Sequence, residues 1–462
     1  MKKLIIIPFL LFIFSAFSQE TAEKKNSPEL LKQDFKELYE KIKEVHINPY
    51  ANTSKDIFDK TYDNIQKTLN DSLTSSAFYA KIVPFFTLLH DGHSEIMLPE
   101  GSQFETTDKV FPVMVKIING KIYVNEDLSK EKIKAGSEIV KIGRVPSLDF
   151  IKAARPYFDG EKESFVDELI GQNFNGFLGS RDEFTISYIL PSSKDTIVAN
   201  LPGIPLDKYQ ERIMELSGKI YKFSIISGNI AYLKINAFLD ANGFSHFIDS
   251  VINIVNTKKI GHLIIDERNC PGGYSSIADT LICHITDKPY RLCSETEIKL
   301  SKAVLVDTEL RKNIVTELNI SDKLLDSMKD SIITLKNNYD SSKIPGDNRF
   351  TGKIYLLTGK ITFSTAVAFA GAIKDCKLGT IIGEETGGLA TSYGPSIPFT
   401  LPNSGINYFL SYQRVVRPSG ADDGKGVIPD YIVKQTQESI INNEDAALQF
   451  TITLINSMQD KK

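Results

Sequence analysis

A serine hydroxyl becomes a nucleophile only when a neighbouring base takes its proton. One serine of this chain stands where that can be arranged. Ser364 follows the apolar run Tyr355-Leu356-Leu357-Thr358 by a short loop and opens the apolar stretch Thr365 to Ile373. A buried strand that turns into a helix puts such a residue at the carboxyl edge of a sheet, where open α/β sheets form clefts. The first N–H groups of that helix are left unpaired, and the N–H of Thr365 is placed to stabilise an oxyanion as charge develops. A plain helix N-cap is the competing role for Ser364, and it is a common one for serine.

A second stretch runs Leu263-Ile264-Ile265-Asp266-Glu267-Arg268-Asn269-Cys270-Pro271-Gly272-Gly273. It reads as a strand end that enters a Pro-Gly-Gly turn. Paired glycines let backbone approach a ligand without Cβ in the way, so Gly272 or Gly273 is a candidate second oxyanion donor. A tight loop with an Asp266–Arg268 surface pair explains the same residues. The base must come from among six histidines. His93 lies in the turn Asp91-Gly92-His93-Ser94 just after a helical stretch, whereas His90 suits a helix end, where it complements the dipole. A lone histidine in a turn is more often solvated, so His93 gains interest only beside Ser364.

Three kinds of element must position these residues. Leu30, Leu31, Phe35, Leu38, Ile42 and Val45 recur at the spacing of one helix face. Ser27-Pro28-Glu29 supplies its start, with proline at the first helical position. Further helices are expected near Ile57 to Leu69 and Ala77 to Leu89, giving a helical N-terminal domain over 28–100 that carries His93. Residues 105–200 are β-rich, with strands near Val110 to Val115 and Lys121 to Val124. The run Ala135 to Pro146 follows there as turn, strand and turn, ahead of a helical stretch at Leu148 to Ala154. From Lys222 short apolar strands alternate with helices, which argues for a mainly parallel sheet in an α/β core over 220–435. A charged helical insertion occupies 305–340, and a helical tail 436–462.

The chain has 462 residues, of which 42% are hydrophobic and 24% charged, with a net charge of −4. That length exceeds what one core usually holds, and the charge offers no basic stripe for nucleic acid. Lys2-Lys3 precede the apolar run Leu4 to Phe17, then Ala16-Phe17-Ser18 before Gln19. This is the pattern of a signal peptide over 1–18, cleaved near Ser18-Gln19, with a polar linker over 19–27. The reading implies a periplasmic or secreted protein without stable membrane insertion after cleavage. The four cysteines, Cys270, Cys283, Cys293 and Cys376, show neither a C-x-x-C pair nor zinc spacing. They read as thiols, and neither a metal nor a cofactor is expected.

Taken together and in order, these stretches resemble the tail-specific (C-terminal processing) and tricorn-core serine peptidase family. Asp91-Gly92-His93-Ser94 resembles its D-G-H-[ST] element, and residues 264–273 its I-D-x-R-x-N-x-G-G strand and turn. Phe363-Ser364-Thr365-Ala366 resembles F-S-A-A. Gly383 to Gly388 resembles G-E-x-T-x-G, and Gly426-Val427-Ile428-Pro429-Asp430 resembles G-[VI]-x-P-D. The resemblance implies an α+β multidomain chain. Its parts are a helical N-terminal domain, a PDZ-like module over 105–200, and an α/β core like the crotonase-like ClpP and tail-specific protease core. The lysine of the family's Ser–Lys branch is replaced by Leu389, so the Ser–His branch is implied. In that branch Ser364 is the nucleophile, His93 the general base, and Asp423 or Asp422 the acid that orients it. Thr365 with Gly272 or Gly273 would hold the oxyanion.

The expected function is an exported serine endopeptidase acting on peptides or unfolded proteins. A base near the ordinary imidazole value of about 6.5 predicts activity that falls below that pH. The alternative is a non-catalytic ligand- or peptide-binding protein on the same scaffold. An esterase of the α/β-hydrolase type lacks support, because no G-x-S-x-G surrounds Ser364.

Overall fold

The computed structural model describes residues 24–99, 104–339 and 348–459. Its centre is a six-stranded sheet with the order Tyr221–Ser227, Ile230–Ile235, His262–Asp266, Lys353–Thr358, Thr380–Gly383, Tyr431–Ile432. The first pair is an antiparallel hairpin, and every later pairing is parallel. The central strands are apolar throughout because both faces are covered. Side chains alternate between the two faces. Leu263, Ile265, Ile354 and Leu356 pack under the helices Ala241–Thr257, Ser275–Ile285 and Thr365–Asp375. Ile264, Tyr355 and Leu357 face the other way, toward Ile455 of the helix Ala446–Gln459. Asp266, Thr358 and Gly383 end their strands at one edge, so all the loops singled out in the core leave from the same rim.

The helices Pro28–Val45, Lys55–Thr68 and Ser75–Phe86 form as their periodicity predicts. They do not close a core of their own. Phe35, Leu38, Ile42, Phe78, Ile82 and Phe85 share one apolar cluster with Ile298, Leu300, Ile333 and Leu335, and with Ile397, Tyr408 and Leu410. An amphipathic helix needs an apolar partner surface, and here two small sheets supply it. One is built around Glu295–Lys299 and Ile332–Lys336, the other around Ser396–Thr400 and Asn407–Ser411. Asp34 is buried on the helical face and accepts from the N–H groups of Asn403 and Ser404. The separate helical domain expected over 28–100 is therefore one layer of a larger unit. The insertion expected over 305–340 is helical only to Ser327 and then returns as a strand of that unit.

Between these parts lies an antiparallel sheet in the order Val113–Ile118, Lys121–Asp127, Glu138–Ile142, Glu183–Ile189, Thr196–Pro202. The helices Ser147–Ala154 and Glu163–Gln172 contribute Ile151, Ala154, Val166 and Ile170 to its core. The expected leader over 1–18, with its junction at Ser18-Gln19, lies outside the described residues. No described helix is long and apolar enough to cross a membrane. All four cysteines are free thiols.

Candidate active site

The turn that carries Ser364 is fixed by its backbone. Thr362 is fully buried. Its hydroxyl accepts from the Gly359 N–H and donates to the Glu267 carbonyl at 2.9 Å. The Phe363 N–H donates to the Cys270 carbonyl, and the Gly387 N–H to the Thr362 carbonyl. These bonds tie the loops after three adjacent strands together. They hold Ser364 at φ 54° and ψ −124°, a left-handed conformation that a residue with a side chain rarely adopts. Such strain costs about 1–3 kcal/mol and persists only where the surroundings impose it. Ser364 occupies the N-cap position of Thr365–Asp375, yet its side chain makes no cap hydrogen bond. Its Oγ lies 2.9 Å from His93 Nε2 instead.

The Gly272 side of Ser364 is equally close-built. Gly272 has φ +104°, and a Cβ there would come within 2.7 Å of Ser364 Cβ and 2.9 Å of the Thr365 nitrogen. Only glycine fits. The N–H groups of Gly272 and Thr365 are free of backbone hydrogen bonds among the described residues. Gly273 has a different job. It bridges Phe238, and its carbonyl accepts from the Thr365 hydroxyl at 2.6 Å.

His93 is held by its faces. Its ring stacks on Phe363 with centroids 4.6 Å apart, and Phe363 in turn stacks on Phe165 at 4.8 Å. The backbone of Gly394 covers the imidazole as well, since a Cβ there would sit 2.8 Å from Cγ and Cδ2 of His93. The loop itself is shaped by Asp91, which is fully buried. Asp91 Oδ1 accepts from the His93 N–H, and Oδ2 accepts from Ser94 Oγ at 2.6 Å and from His46 Nε2 at 3.2 Å. The Asn48 N–H donates to His46 Nδ1, so the His46 proton sits on Nε2. In turn, Asp159 Oδ1 accepts from the Asp91 N–H.

This corner is rich in buried acids. Burial alone would raise the Asp91 carboxyl. The His46 hydrogen bond and the electrostatic pull of the His46 and His93 imidazoles outweigh it and hold the group well below the usual carboxylate range. Glu161 goes the other way: burial, then the negative charge of Asp91, push it up to about 8. Asp159 is raised well above the usual range by burial, Asp91 and Glu161. Burial lowers His93, and Asp91 offsets this only in part. A ring nitrogen of His93 and one carboxylate oxygen each of Asp91 and Glu161 lie within 4.8 Å of one another. His93 Nδ1 is buried without a hydrogen-bond partner among the described residues, and both oxygens of Glu161 are buried with only the Gly92 and Glu161 backbone N–H groups directed loosely at them.

The structure brings together Ser364, His93, Thr365, Gly272 and, one step behind, Gly273. It does not bring Asp422 or Asp423 to His93. Asp422 is exposed and paired with Arg414. Asp423 is exposed and accepts from the Lys425 N–H. The order of motifs gave these aspartates their expected role, but the Arg414 guanidinium claims the first and a local turn the second. Lys374, the first lysine after the serine, ends the helix that Ser364 begins and pairs with Asp430. In the Gly383 to Gly388 stretch, Glu385 binds Lys162 at 2.6 Å and accepts from the Gly426 N–H. Sequence reasoning missed His46 and Glu161, and read Asp91 only as spacing. For Asp91 a signal existed: an aspartate two and three residues before N–H and hydroxyl donors is a turn-former.

Residues 229–433 match the family model of peptidase family S41. That span contains Ser364 and the Gly272 turn, while His93 precedes it. Two solved structures share the fold over nearly the whole chain. Mature CPAF complexed with lactacystin is 16% identical with a TM-score of 0.68, covering 92% of this chain and 97% of its own. Mature CPAF is 15% identical with a TM-score of 0.64, covering 91% and 99%. The α/β core over residues 229–433, with the Ser364 turn inside it, is thus a peptidase family S41 core, and the chain is a serine-type peptidase.

Proposed function

We propose that the chain is an exported endopeptidase that cleaves peptide bonds by a Ser364–His93 mechanism. The observation that carries the reading is the 2.9 Å contact between Ser364 Oγ and His93 Nε2, made by a serine whose strained backbone withholds it from capping its helix. His93 Nε2 takes the hydroxyl proton as Oγ bonds to the scissile carbonyl carbon. The carbonyl oxygen becomes an oxyanion and accepts from the Gly272 and Thr365 N–H groups. His93 then gives its proton to the departing amine, leaving an acyl-serine. A water loses its proton to His93, attacks the acyl carbon and releases the new carboxyl end with Ser364 restored. Asp422 and Asp423 have no part in this scheme.

Export is supported by Lys2-Lys3, the apolar run to Phe17 and the small residues before Gln19. It implies a periplasmic or secreted location. The antiparallel module over 105–200 is read as PDZ-like, a surface for docking substrate peptide. Its helix Glu163–Gln172 brings Phe165 onto Phe363.

The test is labelling by a fluorophosphonate beside hydrolysis of unfolded casein. The mature wild type is expected to label at Ser364 and to cleave. Ser364→Ala is expected to do neither. A wild type that neither labels nor cleaves casein or peptide libraries would favour a binding protein on this scaffold instead.

A further inference from the structure

We infer that Glu161, and neither Asp422 nor Asp423, is the acid that orients the His93 imidazole. The inference rests on the serine-peptidase reading above. To accept the Ser364 proton on Nε2, a neutral His93 must carry its own proton on Nδ1. That atom is buried with no acceptor among the described residues. A buried N–H left unpaired is costly, so a partner is called for. The ring cannot swing to find one, because Phe363 and Gly394 hold it. The acceptor must come to it.

Two carboxylates lie within 4.8 Å of the ring. Asp91 is already spent: its oxygens accept from the His93 N–H, Ser94 and His46. Glu161 has both oxygens buried, with only the backbone N–H groups of Gly92 and of Glu161 itself directed at them among the described residues and neither close enough in geometry to satisfy them. The segment that carries it is bolted to the nucleophile side at its next residue. Lys162 binds Glu385 and donates to the Thr386 carbonyl at 2.9 Å. Phe165 extends the stack through Phe363 to His93. A Glu161 oxygen lies within 4.8 Å of a His93 ring nitrogen, so a closure of at most about 2 Å would make the hydrogen bond, and catalytic hydrogen bonds are often long before substrate binds.

Asp91 faces Glu161 with like charge, Asp159 lies beside them with its own carboxyl raised, and the opposing charge of Lys162 is shared with Glu385. Glu161 and His93 therefore titrate as a pair. The pair must lose its shared proton before His93 can act as base, and Glu161 sits at about 8. The wild-type acid limb of kcat/KM should then lie near that pH. In Glu161→Gln it should fall below about 6.5, the ordinary imidazole value, because burial lowers His93.

The experiment measures kcat, KM and the pH profile of the mature full chain on one fluorogenic peptide. Glu161→Gln, Glu161→Asp, Asp422→Asn and Asp423→Asn stand beside wild type, each with a thermal unfolding curve. Expected is a kcat loss of at least about a hundredfold in Glu161→Gln with KM held within about twofold. Glu161→Asp, which keeps the charge, should recover at least about tenfold of that loss. Both aspartate variants should stay within about twofold of wild type. An Asp423→Asn or Asp422→Asn chain that loses kcat while Glu161→Gln keeps it overturns the assignment and leaves the Ser364–His93 reading intact. Glu161→Asp no better than Gln marks a merely structural role and also overturns it. If Glu161→Gln does not fold, the wild-type profile decides: a limb at about 6.5 sinks the assignment. A wild type inert toward peptide and fluorophosphonate takes down both readings at once.

Discussion

His46 and His93 stand on two sides of Asp91, and both touch it. Their surroundings differ in one respect. His46 is saturated: the Asn48 N–H fills Nδ1, Asp91 fills Nε2, and the residue is fully buried. Any change of its protonation breaks a bond. His93 is held as firmly, but by its ring faces, which leaves the two nitrogens to chemistry. Nε2 meets Ser364, and Nδ1 has no partner at rest. A histidine packed by its nitrogens is structural, and one packed by its faces is free to move protons.

The largest effect expected from this contrast is on turnover. His93→Ala and Ser364→Ala should each lower kcat by about 10⁴- to 10⁶-fold, as for members of a catalytic unit elsewhere. Lys374→Ala, at the far end of the helix, should leave it unchanged. Glu161→Gln follows at about a hundredfold or more, and it sharpens the contrast by asking whether the second nitrogen matters. His46→Ala should behave otherwise. It leaves a buried Asp91 short of a donor, so stability should fall by about 1–3 kcal/mol, read as a lower denaturation midpoint. Folded His46→Ala enzyme that loses as much kcat as His93→Ala would break the comparison.

The last prediction carries the contrast to the acids, and its effect shows only as a change with pH. Glu267 is more orphaned than Glu161, with both oxygens buried and no partner among the described residues, and it lies under the Cys270 turn. Burial, then the charge of Asp266, raise its carboxyl well above the usual range. The folded state thus keeps a proton that the unfolded chain gives up near pH 4.5. The stabilisation is full below that pH and is lost as pH rises toward the folded value, by up to about 1.4 kcal/mol per pH unit. Glu267→Gln should therefore melt above wild type at pH 8 and lose that advantage near pH 4. Equal melting temperatures at pH 8 would show that the carboxyl is ionised and bonded in solution.

Much of this was legible in the sequence because it is local. The sheet announced itself in Leu263–Asp266 and Tyr355–Thr358, which are buried on both faces and so apolar without alternation. Ser364, Thr365, Gly272 and His93 each sit inside a short motif whose backbone shape their own neighbours determine. His46 and Glu161 have no such motif. His46 reaches Asp91 across 45 positions, through the packing of a whole helix, and nothing beside Glu161 marks it as more than a surface acid. Asp422 and Asp423 erred in the opposite direction. Their place in the motif order was right, but order along a chain is not distance, and Arg414 was the nearer charge. The helices before residue 90 declared an apolar face without declaring its partner, which came from 298–335 and 397–410.

The contact between His93 and Ser364 joins positions 271 apart. Closing a loop on that scale costs more chain entropy than a local contact does and slows folding. A half-made chain can present the serine, or the histidine, but not the two together. On the proposed Ser364–His93 reading, an incomplete copy is therefore inert toward its siblings and toward itself. Cutting begins when assembly ends.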